Sequence, residues 1–177
     1  VPALRARVPR AEIVEGDALA LDWHALAGPG AIICGNIPYN ITSPLIDKAL
    51  RPPRAPRVVF LVQREVADRV AAPPGSDAYG ALSVGVQAVA RAERLFTVAR
   101  GAFQPPPKVE SAVLRLTPLA QPLVRDARVP AFRRLVVGLF GFRRKQLLRG
   151  LRELTGWPPE RLQALLEALR LEPTARP

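Results

Sequence analysis

Four consecutive residues, Asn36-Ile37-Pro38-Tyr39, combine side chains suited to recognising a planar base that bears an amino group. The asparagine amide oxygen can accept a hydrogen bond from such a group, and the tyrosine ring offers a stacking face. Proline fixes the turn, so a backbone carbonyl is held in a set direction. The tetrapeptide follows a short apolar run, Ala31–Cys34, which reads as a strand. Ligands of open α/β sheets bind beyond the carboxyl ends of the strands, where this turn would lie. The competing reading is an ordinary Asn- and Pro-containing turn with no chemistry.

A second cluster is purely basic. Arg143, Arg144, Lys145, Arg149 and Arg152 follow one another with no acid between them. Lys145, Arg149 and Arg152 recur at i, i+4 and i+7, while Leu147, Leu151 and Leu154 take another helical face. A merely solvated helix face needs less uncompensated charge than this, whereas contact with an RNA backbone uses it. Other candidates are weaker. His24, beside Trp23, reads as surface or local packing, and Cys34 as a small buried hydrophobe in its strand. Gly28-Pro29-Gly30 lacks the strand–turn–helix setting of a phosphate loop and reads as a turn. One cysteine and one histidine leave no imidazole or thiolate set for a metal, and exclude an intramolecular disulfide.

The elements that must position these residues follow from periodicity. Ala11–Val14, Ala31–Gly35, Val58–Val62 and Ala112–Leu116 are short, apolar and bounded by turn residues, which predicts strands. Pro44–Leu50, Glu65–Val70 and Tyr79–Ala90 read as helices between them, and this alternation predicts a mostly parallel α/β sheet. Beyond the loop at Thr117–Pro122 the period becomes helical throughout, over Pro130–Phe140, Arg144–Leu154 and Pro159–Leu169. A boundary is therefore expected there, with residues 1–120 as the α/β portion and 121–177 as a small all-helical domain.

Charge supports that division. The 177 residues carry 26 basic and 15 acidic side chains, a formal charge of +11. Residues 1–120 contribute +4 and residues 121–177 contribute +7 on half the length. Such a balance favours an anionic polymer as partner, although an arginine-rich composition alone is the plainer explanation. With 49% hydrophobic residues the chain can bury a core, which excludes wholesale disorder. No apolar run is long enough to span a membrane, so a cytoplasmic protein without membrane attachment is expected.

Asn36-Ile37-Pro38-Tyr39 resembles the catalytic motif of S-adenosyl-L-methionine-dependent methyltransferases that modify nucleobase amino nitrogens. Further stretches fall in the same order. Glu15–Leu19 resembles the acidic cofactor turn after the third strand, and Val62–Arg69 the segment after the fifth. Ala78–Val84 follows at the corresponding distance, Phe103–Val113 resembles the late target-base loop, and Phe142–Lys145 the opening of a basic helix. On these stretches the chain is identified as a member of the rRNA adenine N6,N6-dimethyltransferases, in particular the small-subunit (KsgA-type) group. The resemblance implies a partial Rossmann-like class I methyltransferase sheet followed by a helical rRNA-binding domain.

It also implies roles. Asp17, with Ala18 beside it, would bind the adenine of S-adenosyl-L-methionine. Asn36 would stand between cofactor and target, its side-chain oxygen and the Pro38 carbonyl accepting from the target adenine's amino group. Tyr39 and Phe103 would close on the two faces of the flipped-out base. Lys108, Arg143, Arg144, Lys145, Arg149 and Arg152 would touch RNA, and no metal is required. The implied activity is dimethylation of two adjacent adenosines near the 3′ end of small-subunit (16S) rRNA, within the assembling small ribosomal subunit. Two rivals remain: a large-subunit rRNA adenine methyltransferase of the antibiotic-resistance type, and a non-catalytic assembly factor that binds RNA.

The family's glycine-rich loop after its first strand, and the acidic residue ending its second, have no counterpart in this sequence. The chain begins just before what resembles the third strand and contains no methionine. It ends at Pro173–Pro177, where the resemblance leads into one more helix, so both ends are expected to be cut. Ala31–Cys34 is then expected to be an open sheet edge, prone to aggregation or self-pairing. These residues alone are expected to bind the cofactor weakly.

Overall fold

The computed structural model describes residues 2–177. Four strands, β1 (Ile33–Asn36), β2 (Val58–Gln63), β3 (Ala90–Val98) and β4 (Ser111–Pro118), form one sheet in the order β1-β2-β4-β3. Of its three ladders, β1–β2 is parallel, while β2–β4 and β3–β4 are antiparallel. The expectation of a mostly parallel sheet is therefore corrected. A parallel pair needs a helical crossover, which β1 and β2 have, while β3 returns directly to β4 through a loop and so runs antiparallel. β1 is an open edge, as expected.

The core lies on one face of this sheet. Val58, Phe60 and Val62 of β2 alternate inward, as do Ala112, Leu114 and Leu116 of β4. Against them pack α3 (Thr42–Ala49) through Leu45, Ile46 and Ala49, and α4 (Arg64–Val70) through Ala67 and Val70. Val86 of α5 (Ala81–Gln87) completes the cluster. Before the sheet stand two short helices, α1 (Pro2–Arg7) and α2 (Trp23–Ala27), of which α2 sends Trp23 onto the core.

Three further sequence expectations are corrected. Ala11–Val14 is not a strand; it has no ladder partner among the described residues, and a strand without one leaves its backbone groups unpaired. The helix expected over Tyr79–Ala90 is shorter, opening at Gly80, whose N–H donates to Ser83 Oγ at 3.0 Å. The residues after it form β3, unforeseen because a bulge between Arg94 and Phe96 breaks its period of two. That edge strand also carries Arg91, Glu93 and Arg94, a common way to keep an edge from pairing with other chains.

On β3 and β4, Arg115 donates to Glu93 from both Nε (3.1 Å) and Nη2 (2.9 Å) across the ladder. These bonds, reinforced by the charges of Arg115 and Arg91 and opposed by partial burial, hold the Glu93 carboxyl below its ordinary value of 4.5. The folded state thus binds this proton less readily than the unfolded chain. The pair's stabilisation is complete above that ordinary value and is lost as pH falls through the depressed one. Wild type should exceed Glu93→Gln in urea stability at about pH 6, and the gap should close towards about pH 3. A gap independent of pH would sink this account.

Three helices follow the sheet: α6 (Val129–Gly141), α7 (Leu147–Thr155) and α8 (Pro159–Ala168). They dock on the α/β portion through the ion pair Arg133–Asp47, joining α6 to α3, and through Arg54–Asp126 at 2.5 Å. The Tyr79 and Phe140 rings meet edge-on, 6.3 Å apart at 60°. The α7 expected from Arg144 begins only at Leu147. Its first amides, Leu147 and Leu148, donate to the carbonyls of Ala175 (2.7 Å) and Pro173 (3.2 Å), so the C-terminal segment caps it. No helix among the described residues is long and apolar enough to cross a membrane.

Candidate active site and nucleic-acid interface

Asn36 closes β1, opposite Leu61 of β2, and is exposed. The next residue, Ile37, is buried and its N–H donates to the Leu61 carbonyl at 3.3 Å, pinning the exit of the strand. Gly35 allows this close packing, since a Cβ there would stand 3.3 Å from Ile37 Cγ2. The asparagine side chain forms no hydrogen bond among the described residues and is free for a ligand. Pro38 then turns the chain into a single 3-10 turn, Tyr39–Ile41, that leads into α3. Its carbonyl accepts from the Ile41 N–H (3.2 Å) and from Thr42 Oγ1 (3.3 Å). The single Thr42 hydroxyl proton is shared with the Tyr39 carbonyl at 3.2 Å, so the Pro38 carbonyl keeps a lone pair beyond the one that Ile41 uses.

Tyr39 ties this turn to the far side of the sheet. Its hydroxyl lies 2.6 Å from Oγ of Ser111, a fully buried residue that opens β4. Directly before Ser111, Glu110 is locked to the start of α4. Its carbonyl accepts the Arg64 N–H at 2.9 Å, and its carboxylate pairs with Arg64 Nη1 at 2.5 Å. The loop between Phe103 and Ser111 is thereby anchored against the Asn36–Tyr39 turn at its C-terminal end. Phe103 stands at the other end, half-buried, its N–H donating to the Arg100 carbonyl. Lys108 is exposed on the loop, and its carbonyl accepts from Arg100 Nη1 at 3.4 Å. The Phe103 and Tyr39 rings do not pack on one another. Tyr39→Phe should cost about 1 kcal/mol of stability, the value of one buried hydrogen bond whose partner is left unpaired. An unchanged thermal midpoint would show that the hydroxyl pair contributes nothing.

Asp17 and Ala18 lie on a turn held from two directions. The Asp17 carboxylate accepts the Leu19 N–H at 2.8 Å and is otherwise exposed. The Ala18 carbonyl accepts Trp23 Nε1 at 2.8 Å, and the Leu19 carbonyl accepts Lys48 Nζ at 2.7 Å. Lys48 also stands 5.5 Å over the Trp23 ring. Asp22 caps α2 by accepting from the Ala25 and His24 amides, which holds its carboxyl below the ordinary value of 3.8. One helix, α3, thus carries both the exit of the Asn36–Tyr39 turn and the lysine that fixes the Asp17 turn. Neither Trp23, Lys48 nor Ser111 stood out in the sequence. Lys48 and Leu19 are 29 residues apart and Tyr39 and Ser111 are 72 apart, with no local pattern to link them.

Cys34 corrects another expectation: it is exposed, not buried. As the edge strand β1 alternates, Cys34 and Asn36 share its uncovered face. His24 is half-buried within α2, which makes it part of local packing.

The basic cluster is arranged differently from the expected single stripe. Arg143 and Arg144 are exposed on the turn after α6, and Lys145, half-buried, stands 5.1 Å over the Phe142 ring. Only Arg149 and Arg152 lie on α7, three residues apart and both exposed. Arg143 also faces a cleft of about 630 Å³ between the portions, with Arg64, Asp68, Arg69 and Tyr79. These five cations have no acidic partner among the described residues, and they occupy a turn and one helix face.

Residues 3–175, nearly the whole chain, match the ribosomal RNA adenine dimethylase family. The chain belongs to that family. Relatives among its dimethylases include the ribosomal RNA small subunit methyltransferase A of Synechococcus sp. (strain JA-3-3Ab), 46% identical over 174 residues. That alignment covers 95% of this chain and 60% of the relative. The protein of the same name from Phenylobacterium zucineum is 45% identical, over 95% of this chain and 57% of its own length. The chain therefore spans about three fifths of the curated relatives it matches. Among solved structures, a dimethyladenosine transferase from Plasmodium falciparum aligns over 99% of the chain and 64% of its own, with TM-score 0.74 and 25% identity. The 23S rRNA methyltransferase ErmE aligns over 98% of the chain and 70% of its own, with TM-score 0.69 and 28% identity. In open α/β sheets ligands bind beyond the carboxyl ends of the strands, which is where Asn36 stands.

Proposed function

We propose that this chain carries the substrate-facing part of an S-adenosyl-L-methionine-dependent dimethyltransferase acting on adjacent adenosines of small-subunit rRNA. The observation that carries the reading is the exposed, unbonded Asn36 side chain at the end of β1, next to a turn anchored to the Phe103–Ser111 loop.

The chemistry asks little of the protein beyond acceptors and placement. An adenine amino nitrogen is a poor nucleophile because its lone pair is delocalised into the ring. Asn36 Oδ1 accepts from that amino group and favours a pyramidal nitrogen whose lone pair can attack in line. The Pro38 ring fixes the turn, and its carbonyl, which takes the Ile41 N–H on one lone pair, offers the other as a second acceptor for that amino group. Tyr39 and Phe103 supply the faces that hold a flipped-out base. When bound, S-adenosyl-L-methionine supplies an electrophilic sulfonium methyl. The residues present fit part of such a cofactor: Asp17 keeps a carboxylate oxygen free for an adenine amino group, beside the backbone of Ala18.

In this reading residues 1–120 present the base and residues 121–177 hold the RNA backbone through Arg143, Arg144, Lys145, Arg149 and Arg152. The chain works in the cytoplasm on the assembling small ribosomal subunit. The identities of 45–46% with small-subunit methyltransferases, over 95% of the chain, support the small-subunit substrate.

The test is labelled-methyl transfer onto small subunits that lack the modification. It is run on the 177-residue chain and on the chain extended to its relatives' length. Incorporation at two adjacent adenosines by either form supports the reading. Tight RNA binding by both forms, indifferent to S-adenosyl-L-methionine and without incorporation, would leave the non-catalytic assembly factor in its place.

A further inference from the structure

The chain's two tryptophans are placed in opposite ways. Trp23 packs on the core and its indole N–H is bonded to Ala18. Trp157 lies outside the core, on the connection between α7 and α8, and is 37% exposed. Its indole N–H has no partner among the described residues. The guanidinium carbon of Arg161 sits 3.7 Å from its ring centroid, and Arg161 forms no ion pair among the described residues. Arginine stacked on tryptophan makes a flat, positively charged platform.

The turn holds this platform rigidly. Gly156, with φ of 69°, closes α7 in the left-handed conformation, and Pro158 and Pro159 open α8 directly afterwards. The Trp157 backbone N–H donates to Thr155 Oγ1 at 3.2 Å, and that hydroxyl donates to the Leu151 carbonyl at 2.8 Å. With its backbone fixed in this way and Arg161 against its ring, the indole loses less freedom when a flat ligand stacks on it.

Its position points to the ligand. Arg149 and Arg152 share one face of α7, and the next position along that face is Gly156, one residue before the platform. Helix α7 ends at Thr155 and Gly156 caps it, so Trp157 stands just past the helix end, on the order of one helical turn beyond Arg152. That is the scale on which one nucleotide offers a phosphate to a cation and a base to an aromatic face. Duplex RNA hides its base faces, so only an unpaired nucleotide can use both.

We propose that Trp157 and Arg161 form a stacking platform for one unpaired base of the RNA whose backbone lies on Arg149 and Arg152. The proposal rests on the RNA-binding reading above and adds a contact outside the Asn36–Tyr39 turn. The test measures binding of a short single-stranded RNA and of a duplex of equal length to the full chain. Trp157→Leu should weaken single-strand binding about tenfold, the loss of one base stack, and leave the duplex unaffected. Its salt dependence should stay that of wild type, because a neutral contact releases no counterions. Trp157→Tyr should restore most of the affinity, which separates stacking from misfolding. Single-stranded RNA should quench tryptophan fluorescence in wild type but not in Trp157→Phe. If Trp157→Leu binds the single strand like wild type while Arg149→Gln with Arg152→Gln weakens it, the platform is refuted and the RNA reading stands. If wild type binds neither RNA, both fall.

Discussion

Replacing Asn36 with alanine is expected to lower the rate of methyl transfer by about 10²–10³-fold, the usual loss when one preorganised polar group facing the reacting centre is removed. The experiment belongs to whichever form proves active, the 177-residue chain or the extended one. Structure makes the substitution clean. The side chain is exposed and unbonded, so no buried partner is stranded and the core behind Ile37 is untouched. Thermal midpoint and RNA affinity should therefore stay at their wild-type values while kcat falls. Asn36→Asp should also be slow despite keeping an acceptor oxygen. A carboxylate retains that oxygen but places a negative charge where asparagine has a neutral amide. A loss smaller than about tenfold in Asn36→Ala would remove Asn36 from the chemistry and with it the main support for the proposed function.

The second large effect concerns charge. Replacing Arg143, Arg144, Arg149 and Arg152 together by glutamine should weaken RNA binding by about two orders of magnitude at low salt. The plot of log affinity against log salt should flatten by about three units, close to 0.7–0.9 for each phosphate that is no longer neutralised. All four side chains are exposed and none is paired with an acid among the described residues, so folding should be indifferent to the change. Affinity that falls without any change in salt slope would mean that the arginines act through shape and not through phosphate. Lys145 is left in place because its ammonium stands over Phe142, and removing it would mix packing with charge.

The two variants test different halves of the molecule, and α3 joins those halves. Its first residue, Thr42, shares its hydroxyl proton between the Pro38 and Tyr39 carbonyls, Asp47 pairs with Arg133 of the helical portion, and Lys48 holds the Asp17 turn. A single eight-residue helix thus sets the Asn36–Tyr39 turn, the Asp17 turn and the seat of the helical portion.

Much of this was written locally in the chain. The short apolar runs Val58–Val62 and Ala112–Leu116, bounded by turn residues, specified two strands, while the face each one buries was set by the sheet. The order of motifs around Asn36-Ile37-Pro38-Tyr39 specified the family, and the run of arginines after residue 142 specified an exposed basic surface. Tertiary structure decided what no local pattern encodes. Strand β3 exists because β4 offers it a ladder across a bulge, and α7 starts at Leu147 because the carbonyls of Pro173 and Ala175 arrive to cap it. Cys34 is exposed because β1 is an edge, a property of its neighbours and not of its own residues. Ser111 bonds to Tyr39, and Lys48 to Leu19, across separations that only the folded sheet closes. Hydrogen bonds between distant groups follow from where the core puts the backbone, and the core is a collective outcome of packing.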